Sequence, residues 1–321
     1  MLTIAIENSA IRIGPHGAVS FHRTLRIPDD GRDYPLPPGL GTFPVFRVAD
    51  YQARFPAPWR DEGGAFIPMY QGEALWLGFH GPDWRAQAVK VAVGGINALS
   101  GQADASVLSA DPQDYIVCPD QPWLDGINTG QGHVRQFVAM PLGAGYTIEA
   151  SLSGREARGG LQLTVFEPRP GRFPDKAPPA DQANRDAGPG GPPRPMASPV
   201  MGLGAGGRLA QKIYPDPYGI DTWDPERRGR VTVHILNSRQ FTAVTGQPLP
   251  PSPVDAAAYT AHGLPWFKRY EELQLDIAPA RRLAEVKSIG ERACEAGGQQ
   301  TPSPALEFTD AQIRTIGGKE R

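Results

Sequence analysis

Apolar and polar side chains alternate along much of this chain, as they do in strands that bury one face. The pattern predicts strands over 2–7 and 19–27, then a denser series over 65–70, 73–79, 88–93, 96–99, 116–118, 134–140, 146–152 and 161–166. Gln71-Gly72 and Gly94-Gly95 have the length of two-residue hairpin loops, and longer turns fall at 119–132, 141–145 and 153–160. No helical period of useful length interrupts residues 65–166. Short strands at this spacing favour an antiparallel arrangement, because parallel strands need crossover helices. A further alternating strand is expected at 231–236. Helices are expected at 256–261 and at 279–292, where Pro279 opens the segment, Leu283, Val286 and Ile289 fall three apart, and Gly290 lies near the end. The expected fold is mostly β, an antiparallel sandwich or barrel-like core with few short helices and a Pro/Gly-rich disordered insertion.

Proline punctuates that pattern twice. The segment 28–44, PDDGRDYPLPPGLGTFP, reads as polyproline II or linked turns, since proline fixes φ and removes an amide donor. Tyr34, Leu36, Leu40 and Phe43 are apolar anchors that would hold it as a strap on its own domain. The second stretch, 168–199, is rich in Pro, Gly, Ala and charge, with too few apolar residues to offset the entropy of ordering it. It divides the chain into a β-rich core at 1–167, a linker or loop at 168–199, a second part at 200–293 packed on the same core, and a polar tail at 294–321.

Composition narrows the function classes. Gly 38 and Pro 35 are high for 321 residues and fit a turn-rich protein rather than a helical bundle. A formal charge of −2 implies no broad basic surface, so no nucleic-acid partner is indicated by net charge. The apolar runs are too short for a membrane span or a signal segment. Two cysteines in unlike contexts make neither a disulfide framework nor a CxxC metal motif. These features lead to the expectation of a cytoplasmic chain without a cofactor, with an unknown protein or small-molecule partner.

The combination of YPLPPGLG (34–41), QDYIVCPDQPWLDGI (113–127), RQFVAMPLGAGYTIEA (135–150), MGLGAGGR (201–208) and QKIYPDPYGIDTWD (211–224) resembles a family of bacterial and some fungal hypothetical proteins. Some members bear the label "integral membrane protein", against which the short apolar runs argue here. The family carries no established activity, so the resemblance implies no cofactor or site residue.

The most unusual polar cluster lies between the expected strands at 116–118 and 134–140. If those strands pair, Cys118 and His133 approach each other, and Asp120, Asp125 or Asn128 could orient the imidazole as in a cysteine nucleophile site. A buried core cysteine beside an exposed loop histidine is the simpler reading. Asp114, Asp120 and Asp125 with Asn128 could hold a hard cation, but the spacing fails the EF-hand pattern, and aspartates commonly cap their own turns. Gly202, Gly204, Gly206 and Gly207, followed by Arg208 and Lys212, could form an anion or nucleotide nest, although neither a Walker loop nor a dinucleotide fingerprint is present. Trp123 and the other tryptophans could offer a ligand platform or fill the core. The leading expectation is a non-enzymatic binding or interaction protein. A Cys118/His133 hydrolase or transferase comes second, and an anion binder at 202–208 third.

Overall fold

Residues 1–7, 9–176, 200–269, 275–297 and 306–316 are described by a computed structural model. Its strands follow the alternation in the sequence. Ile4–Ile6, Ala10–Ile13 and Gly17–Thr24 form an antiparallel meander, and Gly17–Thr24 then pairs antiparallel with Ala74–His80. His133–Pro141 continues the sheet beside Ala74–His80, followed by Val200–Ala210 and then the long strand Trp223–Asn237. The Leu2 amide donates to the Arg228 carbonyl at 2.8 Å, which returns this path to its first strand. From Trp223–Asn237 the sheet also extends through Leu161–Pro168 to Gln87–Val93 and Ile116–Cys118.

Val19, Phe21, Leu75, Leu77, Phe79, Phe137 and Leu163 point to one side of these strands and belong to a single buried core. Because strand side chains alternate, Ser20, His22, Trp76, Gly78 and His80 stand on the opposite face. The middle of the strap anticipated at 28–44, Leu36 to Gly39, lies against that face beside Trp76. Tyr34, Leu36 and Phe43 are buried, and Gly39–Thr42 bonds to the edge of Gly17–Thr24. Leu36 and Phe267 exchange both backbone hydrogen bonds, at 2.8 and 2.9 Å, so the strap is held to the strand Trp266–Arg269.

Several local expectations are corrected. The Gln71-Gly72 turn is present, but its flanking strands part. Ala65–Met69 runs parallel to the end of Trp223–Asn237, while Ala74–His80 takes the neighbours named above. The expected strand at 146–152 is a helix, Ile148–Ser153, because Thr147 caps it and the buried Glu149 accepts the amides of Ala157, Arg158 and Gly159 at 3.0, 2.9 and 2.8 Å. The expected helix at 279–292 divides into Arg281–Ala284 and Ile289–Glu295, the second begun by a Ser288/Glu291 capping box. Ala256–Ala261 is helical as read. The expected disordered insertion at 168–199 lies outside the described residues from 177 onward. Residues 168–176 belong to the end of a strand and the turn after it.

Gly202–Gly207 also changes role. It lies within the strand Val200–Ala210, so its amides serve a ladder with His133–Pro141 rather than a nest. Glycine is required there by close approach. A Cβ at Gly207 would lie 2.2 Å from the Pro28 carbonyl, and one at Gly204 would lie 2.8 Å from that of Tyr146. No helix among the described residues is long and apolar enough to cross a membrane.

Candidate functional site

Between the strap and the outer face of the sheet lies an open pocket of about 310 Å³, lined by Leu36, Pro37, Gly39, Trp76, Trp123, Asp125 and Phe267. Four distant parts of the chain meet there. Trp123 is registered opposite Gly78 on the neighbouring strand, so Trp123 and Asp125, two residues apart, share the face that carries Trp76. Phe267 arrives through its backbone pairing with Leu36. The wall is mainly apolar and aromatic, with one carboxylate set into it, the usual make-up of a small-molecule pocket.

Asp125 is held firmly. Its amide donates to Gln211 Oε1 at 2.9 Å, and its carbonyl accepts from the Phe137 amide at 3.0 Å. The carboxylate is buried and receives the Trp123 side chain as a donor, yet its Oδ2 has no hydrogen-bond partner among the described residues. Burial pushes its pKa up to about 7, and the Trp123 hydrogen bond opposes that rise only in part. A buried carboxylate with an unused oxygen is costly, and native proteins seldom carry one without a reason.

Behind the cavity, Trp76 stacks on His22 with ring centroids 3.7 Å apart and an interplanar angle of 5°. Ser20 Oγ lies 2.6 Å from the Nε2 of His22 and also 2.6 Å from that of His80. A hydroxyl has one proton, so if it donates to one imidazole it accepts from the other. Gly78 makes room for this trio, since a Cβ there would lie 2.7 Å from Ser20 Oγ and 2.9 Å from His22 Nε2. Burial, helped by the charge of His80, lowers the His22 pKa to about 4, so its ring is neutral at neutral pH.

The residues singled out from sequence are distributed as follows. Ile116–Cys118 pairs with Gln87–Val93, and His133–Pro141 pairs with Gly126–Gly130, Val200–Ala210 and Ala74–His80, so the strands that were to juxtapose Cys118 and His133 have different neighbours. The Cys118 thiol is buried. Desolvation, then the charges of Asp120 and Asp83, push it up to about 12, where it remains a protonated thiol at neutral pH. His133 Nε2 lies 3.4 Å from Asp33. Asp114 joins Lys90 at 2.7 Å, Asp120 accepts the Tyr218 side chain, and Asp125 takes Trp123, so the three carboxylates do not gather around a cation. Asn128 ties its own turn to the distant loop at Leu99, accepting the Gly130 amide at 2.8 Å and donating to the Leu99 carbonyl at 3.2 Å. Arg208 pairs with Asp33 at 3.1 Å, and the Lys212 carbonyl accepts from Gln121.

Of those residues, Trp123 and Asp125 meet at the cavity. Leu36 is one of the apolar anchors of the strap and Trp76 one of the tryptophans. Ser20, His22 and His80 had not been singled out. Their signal is alternation, because 20, 22, 76, 78 and 80 fall at the out-facing positions of two adjacent strands. No family model matches this chain, and neither does a curated protein or a solved structure.

Proposed function

We propose that this is a non-enzymatic binding protein, and that its ligand is a small molecule with a flat apolar face seated between Trp76, Trp123 and Phe267. One observation carries the reading: a buried carboxylate, with no charged side chain acting on it among the described residues, forms part of the wall of an aromatic pocket. Such a group is commonly retained where a ligand offsets its cost. The cysteine-nucleophile alternative is weakened by the protonated state of Cys118 and by the engagement of His133 with Asp33. A reducing, cytoplasmic setting belongs to the same proposal and rests on two free cysteines, Cys118 and Cys294.

Gly39 offers a direct test. A Cβ at this position would lie 3.5 Å from Trp76 Cζ2, an ordinary contact, so a longer side chain can enter the cavity without a backbone clash. Ligand-observed NMR of ring-bearing fragments against the wild type is expected to yield hits that quench tryptophan fluorescence. Gly39→Leu is expected to abolish them while keeping the wild-type circular dichroism. Hits that persist in Gly39→Leu, or a wild type that binds none, would overturn the assignment.

A further inference from the structure

We infer that the cavity recognises an organic cation, an ammonium group carried on an aromatic or otherwise flat apolar body. This inference rests on the cavity being the ligand site and adds the charge of the ligand. The first argument is electrostatic balance. Leu36, Pro37, Gly39, Trp76, Trp123 and Phe267, which surround Asp125 in the wall, carry no charge, and the backbone of Asp125 is held by the uncharged Gln211 and Phe137. A neutral ligand would leave a negative charge in the wall without a counterion, whereas an ammonium supplies one.

The second argument comes from the rings. Two indoles and a phenyl ring line the pocket beside the carboxylate, and tryptophan is the strongest cation–π partner among the aromatic side chains. Both kinds of group attract a cation. The third argument is the state of His22, the titratable group stacked on Trp76. Burial keeps it neutral near pH 7, so no positive charge behind the indole opposes a cation in front of it. His80, beyond Ser20, is exposed to solvent.

Benzylamine and its neutral isostere benzyl alcohol provide the test, by isothermal titration at pH 8.0 and pH 5.5. Wild type and Asp125→Asn are compared, with the fold of the variant checked by circular dichroism. At pH 8.0 the wild type is expected to bind benzylamine at least about tenfold more tightly than benzyl alcohol. The preference is expected to shrink at pH 5.5, where Asp125, whose pKa is about 7, is protonated while the amine stays charged. Asp125→Asn is expected to remove the preference, so that the two compounds bind with similar affinity at both pH values. Equal affinities in the wild type, or an amine preference that survives Asp125→Asn, would overturn the cation inference while leaving the cavity as a binding site. Failure of both compounds to bind would overturn both.

Discussion

Asp125→Asn is expected to make the ligand-free protein more stable at pH 8, a reversal of the usual effect of replacing a buried polar residue. The sign follows from linkage. The folded-state pKa of Asp125 is raised to about 7, whereas an unfolded chain releases the same proton near 3.9. The contribution of Asp125 to stability is therefore fully present below pH of about 4 and is lost as pH rises toward 7. Above pH 7 the folded protein holds a buried anion that the unfolded chain would hydrate. Three pH units correspond to about 4 kcal/mol, and the imperfectly bonded asparagine amide offsets part of it, which leaves a gain of about 2–4 kcal/mol at pH 8. Near pH 4 the two proteins should differ little, since a protonated aspartic acid and an asparagine are both neutral. Urea unfolding at the two pH values measures the difference, and an Asp125→Asn variant less stable at both would show that the carboxylate has partners unaccounted for. A stabilising substitution at a binding site is the expected exchange of stability for function.

The largest loss of stability is expected from Lys90→Met. Lys90 is buried, and its Nζ donates to the carbonyls of Ala105 and Val107 at 2.9 and 2.6 Å and to Asp114 Oδ2 at 2.7 Å. Asp114 in turn accepts the Ser109 amide at 2.8 Å, so this one ammonium organises the loop between the strands at 96–97 and 116–118. Methionine keeps most of the apolar stem but leaves the carboxylate buried without a counterion, which costs about 3–5 kcal/mol. Lys90→Met combined with Asp114→Asn should recover part of that loss, because the second change removes the stranded charge. A single variant that unfolds within about 1 kcal/mol of the wild type in urea would mean that the loop is held by other contacts.

Much of the strand content is legible in the sequence, because alternation is a local signal and the turns carry glycine pairs. Gly94-Gly95, with φ of 56° and 80°, connects antiparallel strands as its composition suggests. Pairing over distance is not local. Nothing in Gln71-Gly72 indicates that the strands beside it separate, one to a parallel partner more than 160 residues later and the other to a strand near the start. At 146–152, YTIEASL alternates as a strand would, and the helix follows from the Thr147 cap together with a tertiary role for Glu149. The glycine run at 202–207 suggested backbone freedom, whereas close approach of Pro28 and Tyr146 is what requires small residues.

The site divides along the same line. Trp123 and Asp125 were grouped with Cys118 and His133 because they are near one another in the chain. Their working neighbours, Leu36, Trp76 and Phe267, are brought up by the strap and by sheet register instead. Asp125 itself carries no sequence mark that separates it from Asp114 or Asp120. The distinction is environmental, since Lys90 neutralises Asp114 and the Tyr218 side chain meets Asp120, while Asp125 keeps one oxygen unmatched.

The state of that carboxylate decides whether the pocket is a cation site, and a pH titration of the Asp125 side-chain carboxyl carbon by NMR reads it directly. In the free protein the titration is expected to have its midpoint near pH 7. Saturating benzylamine is expected to move the midpoint downward by at least about one unit, because the ammonium favours the charged form. A midpoint in the ordinary carboxylate range, unmoved by the amine, would contradict the claim that Asp125 is the unmet charge around which the cavity is built.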